Sequence, residues 1–429
     1  MDHGLIGALT ASQAAAQIRA GSLGCEGLML SCLARIAQRE PQVGAWQHLD
    51  STRAVERARL ADSQPPSGPL HGIPVGIKDI MDTVDMPTTL GSPIYARRQP
   101  DWDAACVAAL RAAGAIVLGK TVSTEFAYFQ PGKTRNPHNL LYTPGGSSSG
   151  SAAAVADCMV PIALGSQTAA SVTRPAAFCG VFGYKGSHGE FSLSGIRPFA
   201  ESLDSLGVMA RSVDDIVLLR SVLLGRTSDS ARPLNAPPRL AVCRTAQWSL
   251  AEPQAQQALD ACVQTCRQAG AVVTELELPA QFAQLIDAHK TIMAYEAAHN
   301  YVFETSRCAD QLSPAFRALT ETGAQVSRED YASAKRAVVQ AKRVLRSLAA
   351  HVDAWISPAA IGEAPLASSG TGDPVMSRMW TALQGPSLCV PLGRGALGLP
   401  LAVQLVALAG HDDALLQTGQ WVGTALENT

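Results

Sequence analysis

The chain has 429 residues, a formal net charge of −2, 47% apolar residues and only 16% charged ones. That balance implies a large buried interior, excludes a disordered chain, and leaves no electrostatic footprint for nucleic acid or an anionic membrane surface. The N-terminus, MDHGLIGALTASQAAAQIRAG, lacks a basic region followed by an apolar core, and no apolar run approaches about 18 residues, so no signal peptide or membrane span is expected and the location is read as cytoplasmic.

Residues 11–38 carry apolar side chains at helical spacing, interrupted at Gly21–Gly24, and predict two helices with a turn between them. Residues 50–62 predict an exposed helix, and Ser63–Pro69 a loop. Val75, Ile77 and Ile80 then outline a buried strand with Lys78 inside it. A lysine there is either a solvated tip, an ion pair with Asp79, or a buried amine that loses its proton. Residues 103–113 predict a helix that ends at Gly114, before a strand Ala115–Leu118 that leads to Lys120. Helix, glycine and strand in alternation indicate an α/β architecture. Residues 129–143 form a long polar loop, of a length usually kept for function.

The stretch Tyr142–Pro175 concentrates small residues. A Gly/Ser loop, Gly145–Gly150, precedes a helix pattern Ser151–Asp157 and an apolar strand pattern Cys158–Leu164. A second small-residue loop, Gly165–Ala170, leads into Ser171. Ser147 and Ser171 thus stand 24 residues apart on two backbone-rich loops. Such loops, Gly146 included, let the main chain approach a ligand and offer it N–H donors, which suits a developing oxyanion.

Residues 176–185 are small and apolar and read as buried near this stretch. Beyond it, 212–224 predict a helix and Asp229–Pro238 a hinge. Strand Arg239–Cys243, helix Glu252–Ala269 and strand Ala271–Thr274 follow. Residues 279–350 are helical by pattern, and Asp353–Ser357 is a strand. Residues 363–375 read as a surface loop and Pro391–Gly398 as a turn, before a strand Leu401–Val406. Ten scattered cysteines, none in C-x-x-C spacing, read as reduced core thiols.

Several chemistries are testable against these residues. No Gly-Lys-Ser/Thr closes Gly145–Gly150, so no P-loop is present. No H-E-x-x-H or other metal pair occurs among nine histidines, and no cofactor motif is found. Gly146–Gly150 matches G-x-S-x-G, which would make Ser148 an esterase nucleophile, but Pro144 fits badly in the strand that such an elbow requires.

Three segments, GIPVGIKD around Lys78, PGGSSSG around Ser147, and GSQTAASVTRPA around Ser171, resemble in order and spacing the amidase signature family. GLPLAVQLV at Gly398–Val406 resembles that family's C-terminal strand motif. The Gln-Thr before Ser171 and the Arg-Pro after it are similar to bacterial small amidases of the malonamidase type. The resemblance implies one α/β domain over residues 1–429, a large mixed sheet wrapped by helices, with a signature core at about 65–225 and helical and C-terminal elements at 226–429. It implies Lys78 as catalytic base, Ser147 as bridging serine after a cis peptide bond, and Ser171 as nucleophile. It places the oxyanion donors on the backbone of Thr168, Ala169, Ala170 and Ser171. Homodimers are common in the family, and a homodimer is expected.

The chain departs from the family pattern at three places. Ala169-Ala170 stand for Gly-Gly, Gln167 stands for Asp, and Ser149 for Gly. Alanine tolerates positive φ poorly, so a differently shaped donor loop is expected. The activity implied is hydrolysis of the C–N bond of a small amide through a Ser171 acyl-enzyme, releasing ammonia or an amine. A glutamine-hydrolysing transamidation subunit that needs a partner is the alternative, and the Ser148 esterase a third. Arg174, placed before Pro175, is expected to be extended at the site's edge, either ion-paired or gripping a substrate carboxylate, with Lys120 as a second positive charge.

Overall fold

The computed structural model describes residues 6–226, 234 and 236–428. The expected hinge at Asp229–Pro238 lies largely outside them.

One mixed sheet of eleven strands organises the described chain. In chain order the strands are β1 (Trp46–Leu49), β2 (Pro74–Lys78), β3 (Ile116–Thr121), β4 (Ile162–Gln167), β5 (Phe182–Lys185), β6 (Ser205–Ala210), β7 (Arg239–Cys243), β8 (Val272–Leu276), β9 (Ala354–Pro358), β10 (Ser387–Arg394) and β11 (Pro400–Val406). Across the sheet they lie β1-β3-β2-β4-β6-β5-β10-β11-β9-β7-β8. β3, β2 and β4 run parallel, as do β9, β7 and β8. The strands between them are antiparallel. β2, β3, β4, β6 and β9 are buried at every position, which is why their sequences read as continuous runs of apolar and small residues.

Helices cover the sheet. In Arg328–Leu348 the buried residues are Ala334, Val338, Ala341 and Leu345, one stripe at helical spacing. Ser327 caps its start by accepting from the Asp330 N–H. Helices Ala11–Arg19 and Cys25–Val43 flank the predicted turn, and the second ends at Gly44 in the left-handed region. Among the described residues no helix is long and apolar enough to cross a membrane. All ten cysteines are free thiols.

Three segments differ from the sequence expectation. The strand expected over Cys158–Leu164 starts only at Ile162, because Cys158 turns the chain at φ 54°. That strand then continues to Gln167, through half of the expected loop. Residues 176–185 are largely buried, as expected, and comprise the end of a helix, Thr173–Cys179, and β5. β10 runs through Pro391 with a register shift before Arg394, so the turn is confined to Gly395–Leu399.

Candidate active site

Lys78 is the last residue of β2, at the carboxyl end of the parallel trio, where open α/β sheets place their ligands. The Gly/Ser loop stands beside it because its backbone fits where side chains cannot. A Cβ on Gly150 would lie 2.2 Å from the Ala45 carbonyl oxygen, and Gly145 has φ +80° with Pro175 Cα only 2.8 Å from where its Cβ would be. Ser147 follows a cis peptide bond from Gly146. Lys78 Nζ lies 2.6 Å from Ser147 Oγ and 2.8 Å from Ser166 Oγ. The Ser148 N–H donates to the Ser171 carbonyl at 3.4 Å, which draws the second serine loop against the first.

Lys78 is wholly buried, and burial pushes its pKa down to about 7, opposed in part by the field of Asp204. It makes no pair with Asp79, whose carboxylate instead takes Lys120 at 3.1 Å. Asp204 is itself buried, with its pKa pushed up to about 7 by desolvation. It accepts from the hydroxyl of Thr168 and from the N–H groups of Phe199 and Ala200.

The loop from Thr168 to Ser171 is held through its carbonyls. Thr168 O bonds His289 Nε2 at 2.8 Å, Ala169 O accepts from Thr381 Oγ1 at 2.7 Å, and Ala170 O accepts from the Arg174 N–H at 2.9 Å. Neither Ala169 nor Ala170 has positive φ, so alanine fits here without strain. Gln167 Oε1 accepts from the N–H groups of Val172 and Thr173, at the start of the helix Thr173–Cys179. A neutral amide therefore caps the helix where the family pattern has a carboxylate.

Arg174, Lys120 and Ser148 each have side chains already bonded within the protein. Arg174 is not extended: it lies in the helix Thr173–Cys179, 4% exposed, and lines the same small cleft as Ser171. Its guanidinium donates to Gly372 O at 2.5 Å, Gly146 O at 2.8 Å and Thr371 Oγ1 at 3.2 Å, and no carboxylate among the described residues pairs with it. It staples the loop 363–375, read from sequence as a surface loop, onto the Gly/Ser loop. Gly146 thus presents its carbonyl to Arg174. Lys120 spends its three N–H groups on Asp79, Thr88 Oγ1 at 2.6 Å and Pro87 O at 3.2 Å, so none is left for a substrate. Ser148 Oγ is buried between the N–H and C=O of Ser166, both at 3.3 Å, which gives an esterase nucleophile neither a base nor an approach. Sequence reasoning does not reach Ser166, His289, Thr381 or Asp204. Of these, Ser166 alone carries a local signal, as a polar residue inside an apolar strand run.

A small cleft opens above Ser171, with apolar walls from Tyr128, Phe129, Phe199, Met293 and Pro374, and Thr168 and Arg174 line it as well. Larger clefts run along the C-terminal helix Asp412–Glu427, but neither Lys78, Ser147 nor Ser171 lines them, so chemistry rather than size locates the site.

This arrangement defines a serine–lysine site on a mixed α/β sheet. The amidase family model matches residues 28–416, and the chain belongs to that family, whose members act on carbon–nitrogen bonds. It is 33% identical to the A-type subunit of glutamyl-tRNA(Gln) amidotransferase from Roseiflexus castenholzii, over 96% of this chain and 94% of that one. The native peptide amidase of Stenotrophomonas maltophilia superposes with a TM-score of 0.84 at 28% identity, covering 98% of this chain and 97% of that one. A chain from a vestigial protein complex, described as revealing the origins of an s-triazine catabolic enzyme, superposes with a TM-score of 0.90 at 25% identity, covering 98% of each. This relative and those from Chloroflexus aggregans and Roseiflexus sp. are amidotransferase A subunits rather than the malonamidase type that the residues around Ser171 suggested.

Proposed function

We propose that the protein hydrolyses the C–N bond of a small, uncharged amide with Ser171 as nucleophile, Ser147 as relay and Lys78 as base. The observation that carries this reading is the buried Lys78 amine, pushed down to a pKa of about 7 and 2.6 Å from Ser147 Oγ. A neutral amine accepts the Ser147 proton as Ser147 takes that of Ser171. Ser171 Oγ then bonds the amide carbon, and the carbonyl oxygen takes up negative charge facing the loop 168–171. The proton returns from Lys78 through Ser147 to the leaving nitrogen, the C–N bond breaks, and ammonia or an amine departs. Water, deprotonated by the same route, cleaves the ester to the carboxylic acid and restores Ser171.

The apolar walls of the cleft favour an apolar or aromatic acyl group, and Arg174, which lines the same cleft, already directs its Nη1 and Nη2 groups to Gly372 O, Gly146 O and Thr371 Oγ1, which favours a neutral amide over a carboxylated one. The second reading is a glutamine-hydrolysing subunit that hands ammonia to a partner, and it is favoured by the names of the curated relatives. The purified chain decides between them. Ammonia release from simple aliphatic and aryl amides without added protein supports the stand-alone amidase. Activity confined to glutamine, and only with an added partner, contradicts it. A homodimer remains part of this proposal, and light scattering reads it directly. Ser171→Ala is expected to lower kcat by about 10³ or more, and Ser148→Ala by far less. The opposite ranking would restore the Ser148 esterase.

A further inference from the structure

A planar trans peptide unit points its C=O and N–H in opposite directions, so gripping one aims the other. In the loop after β4 three consecutive carbonyls are gripped, those of Thr168, Ala169 and Ala170. The N–H groups sharing those peptide units belong to Ala169, Ala170 and Ser171. Among the described residues, no protein group accepts from any of the three.

The grips are directional. Arg378 Nη1 lies 3.0 Å from His289 Nδ1. Arginine only donates, so Nδ1 is the acceptor and the ring proton sits on Nε2, facing the Thr168 carbonyl. Burial and the neighbouring Arg378 push the imidazole down to a pKa of about 3, so it stays neutral and keeps this tautomer. Thr381 is oriented likewise. Its hydroxyl accepts from Gln167 Nε2 at 3.0 Å, which leaves its proton for the Ala169 carbonyl. Gln167 is fixed in turn because its Oε1 takes the Val172 and Thr173 N–H groups. His289 belongs to the helix Leu285–Asn300, and Thr381 and Arg378 to Val375–Ala382. The clamp therefore comes from helices far along the chain from the loop it holds.

We propose that His289 and Thr381 are positioning residues that hold the Thr168 and Ala169 carbonyls and thereby aim the Ala169 and Ala170 N–H groups at the substrate oxygen. The proposal rests on the Ser171 reading above. It assigns the oxyanion donors to Ala169, Ala170 and Ser171, and omits the N–H of Thr168. Preorganised donors act on the transition state and leave ground-state binding almost untouched.

The test uses the full-length chain, a short-acyl p-nitroanilide as substrate, and a trifluoromethyl ketone that forms a tetrahedral adduct with a serine. His289→Leu and Thr381→Val should each lower kcat by roughly ten- to a hundredfold, a fraction of the loss seen when an oxyanion donor is deleted, with KM within about threefold. Ketone affinity should fall in proportion to kcat/KM. His289→Gln, whose amide can donate to Thr168 O and accept from Arg378, should recover most of the loss. If both variants keep kcat and ketone affinity within about twofold of wild type while Ser171→Ala is inactive, the clamp is wrong and the Ser171 reading stands. A kcat that falls only with the thermal midpoint, without rescue by His289→Gln, also overturns the clamp. An inert wild type, or an active Ser171→Ala, overturns the reading and the clamp together.

Discussion

Burial in β2 weakens the hold of Lys78 on its proton, and this has consequences for both rate and stability. With a pKa near 7 the amine is largely neutral above neutrality, so kcat/KM should rise with pH through about 7 and level off. A limb that rises only near 10 would contradict a buried base. For stability, the folded pKa of about 7 lies below the unfolded value near 10.5, so between those limits the unfolded chain binds more protons. Stability from this group therefore increases as pH rises from 7 to 10, and its penalty is fully present below 7. Lys78→Met should raise the thermal midpoint, with a gap over wild type that is widest below pH 7 and closes toward pH 10. A gap independent of pH would mean that Lys78 is not the group that titrates. Arg174 makes the opposite case. Its guanidinium holds two loops together from inside, so Arg174→Ala should lower the thermal midpoint by several degrees, since truncating one partner of a buried charged hydrogen-bond set costs about 1.5–3 kcal/mol. Relative rates on a neutral amide and its carboxylated analogue should not change. A selective loss of the acid would return Arg174 to the substrate.

At the scale of elements, the loop between β4 and the helix Thr173–Cys179 is shaped by its caps rather than by glycine. Because Ala169 and Ala170 sit at ordinary φ, restoring the family's Gly-Gly should not improve catalysis. Ala169→Gly with Ala170→Gly should instead destabilise by about 1–2 kcal/mol, through the added freedom of the unfolded chain. A rise in kcat would show that alanine constrains the loop after all. The elements around this loop differ in how legible they are in the sequence. β3 is readable because Ala115–Leu118 is an unbroken apolar run between two glycines, and β2 because Val75, Ile77 and Ile80 outline a buried strand around Gly76. β6 is not, because nothing in Ser205–Ala210 shows that it lies between β4 and β5. The expectation for Arg174 fails because a residue before proline is biased against the helical region rather than barred from it, and Pro175, in the first turn of Thr173–Cys179, sacrifices no intrahelical hydrogen bond.

At the scale of the whole molecule, the two halves of the chain meet within one sheet. β5 pairs with β10, Lys185 opposite Ser387 and Gly183 opposite Cys389. Through that seam the distal helices reach the loop 168–171, which explains the uneven legibility of the site. Lys78, Ser147 and Ser171 stand out because each lies in a local pattern of small or apolar residues, and their proposed roles come from the resemblance of those segments to the amidase family. His289, Thr381 and Asp204 are hidden because their partners lie 121, 212 and 36 residues away, and no local pattern records a tertiary hydrogen bond. The most direct test of the central claim is peptide mapping by mass spectrometry after treatment with a fluorophosphonate. The account predicts one adduct per chain, on Ser171, absent in Ser171→Ala and formed far more slowly in Lys78→Ala. An adduct on Ser148, or no adduct on a chain that is turning over amides, would contradict it.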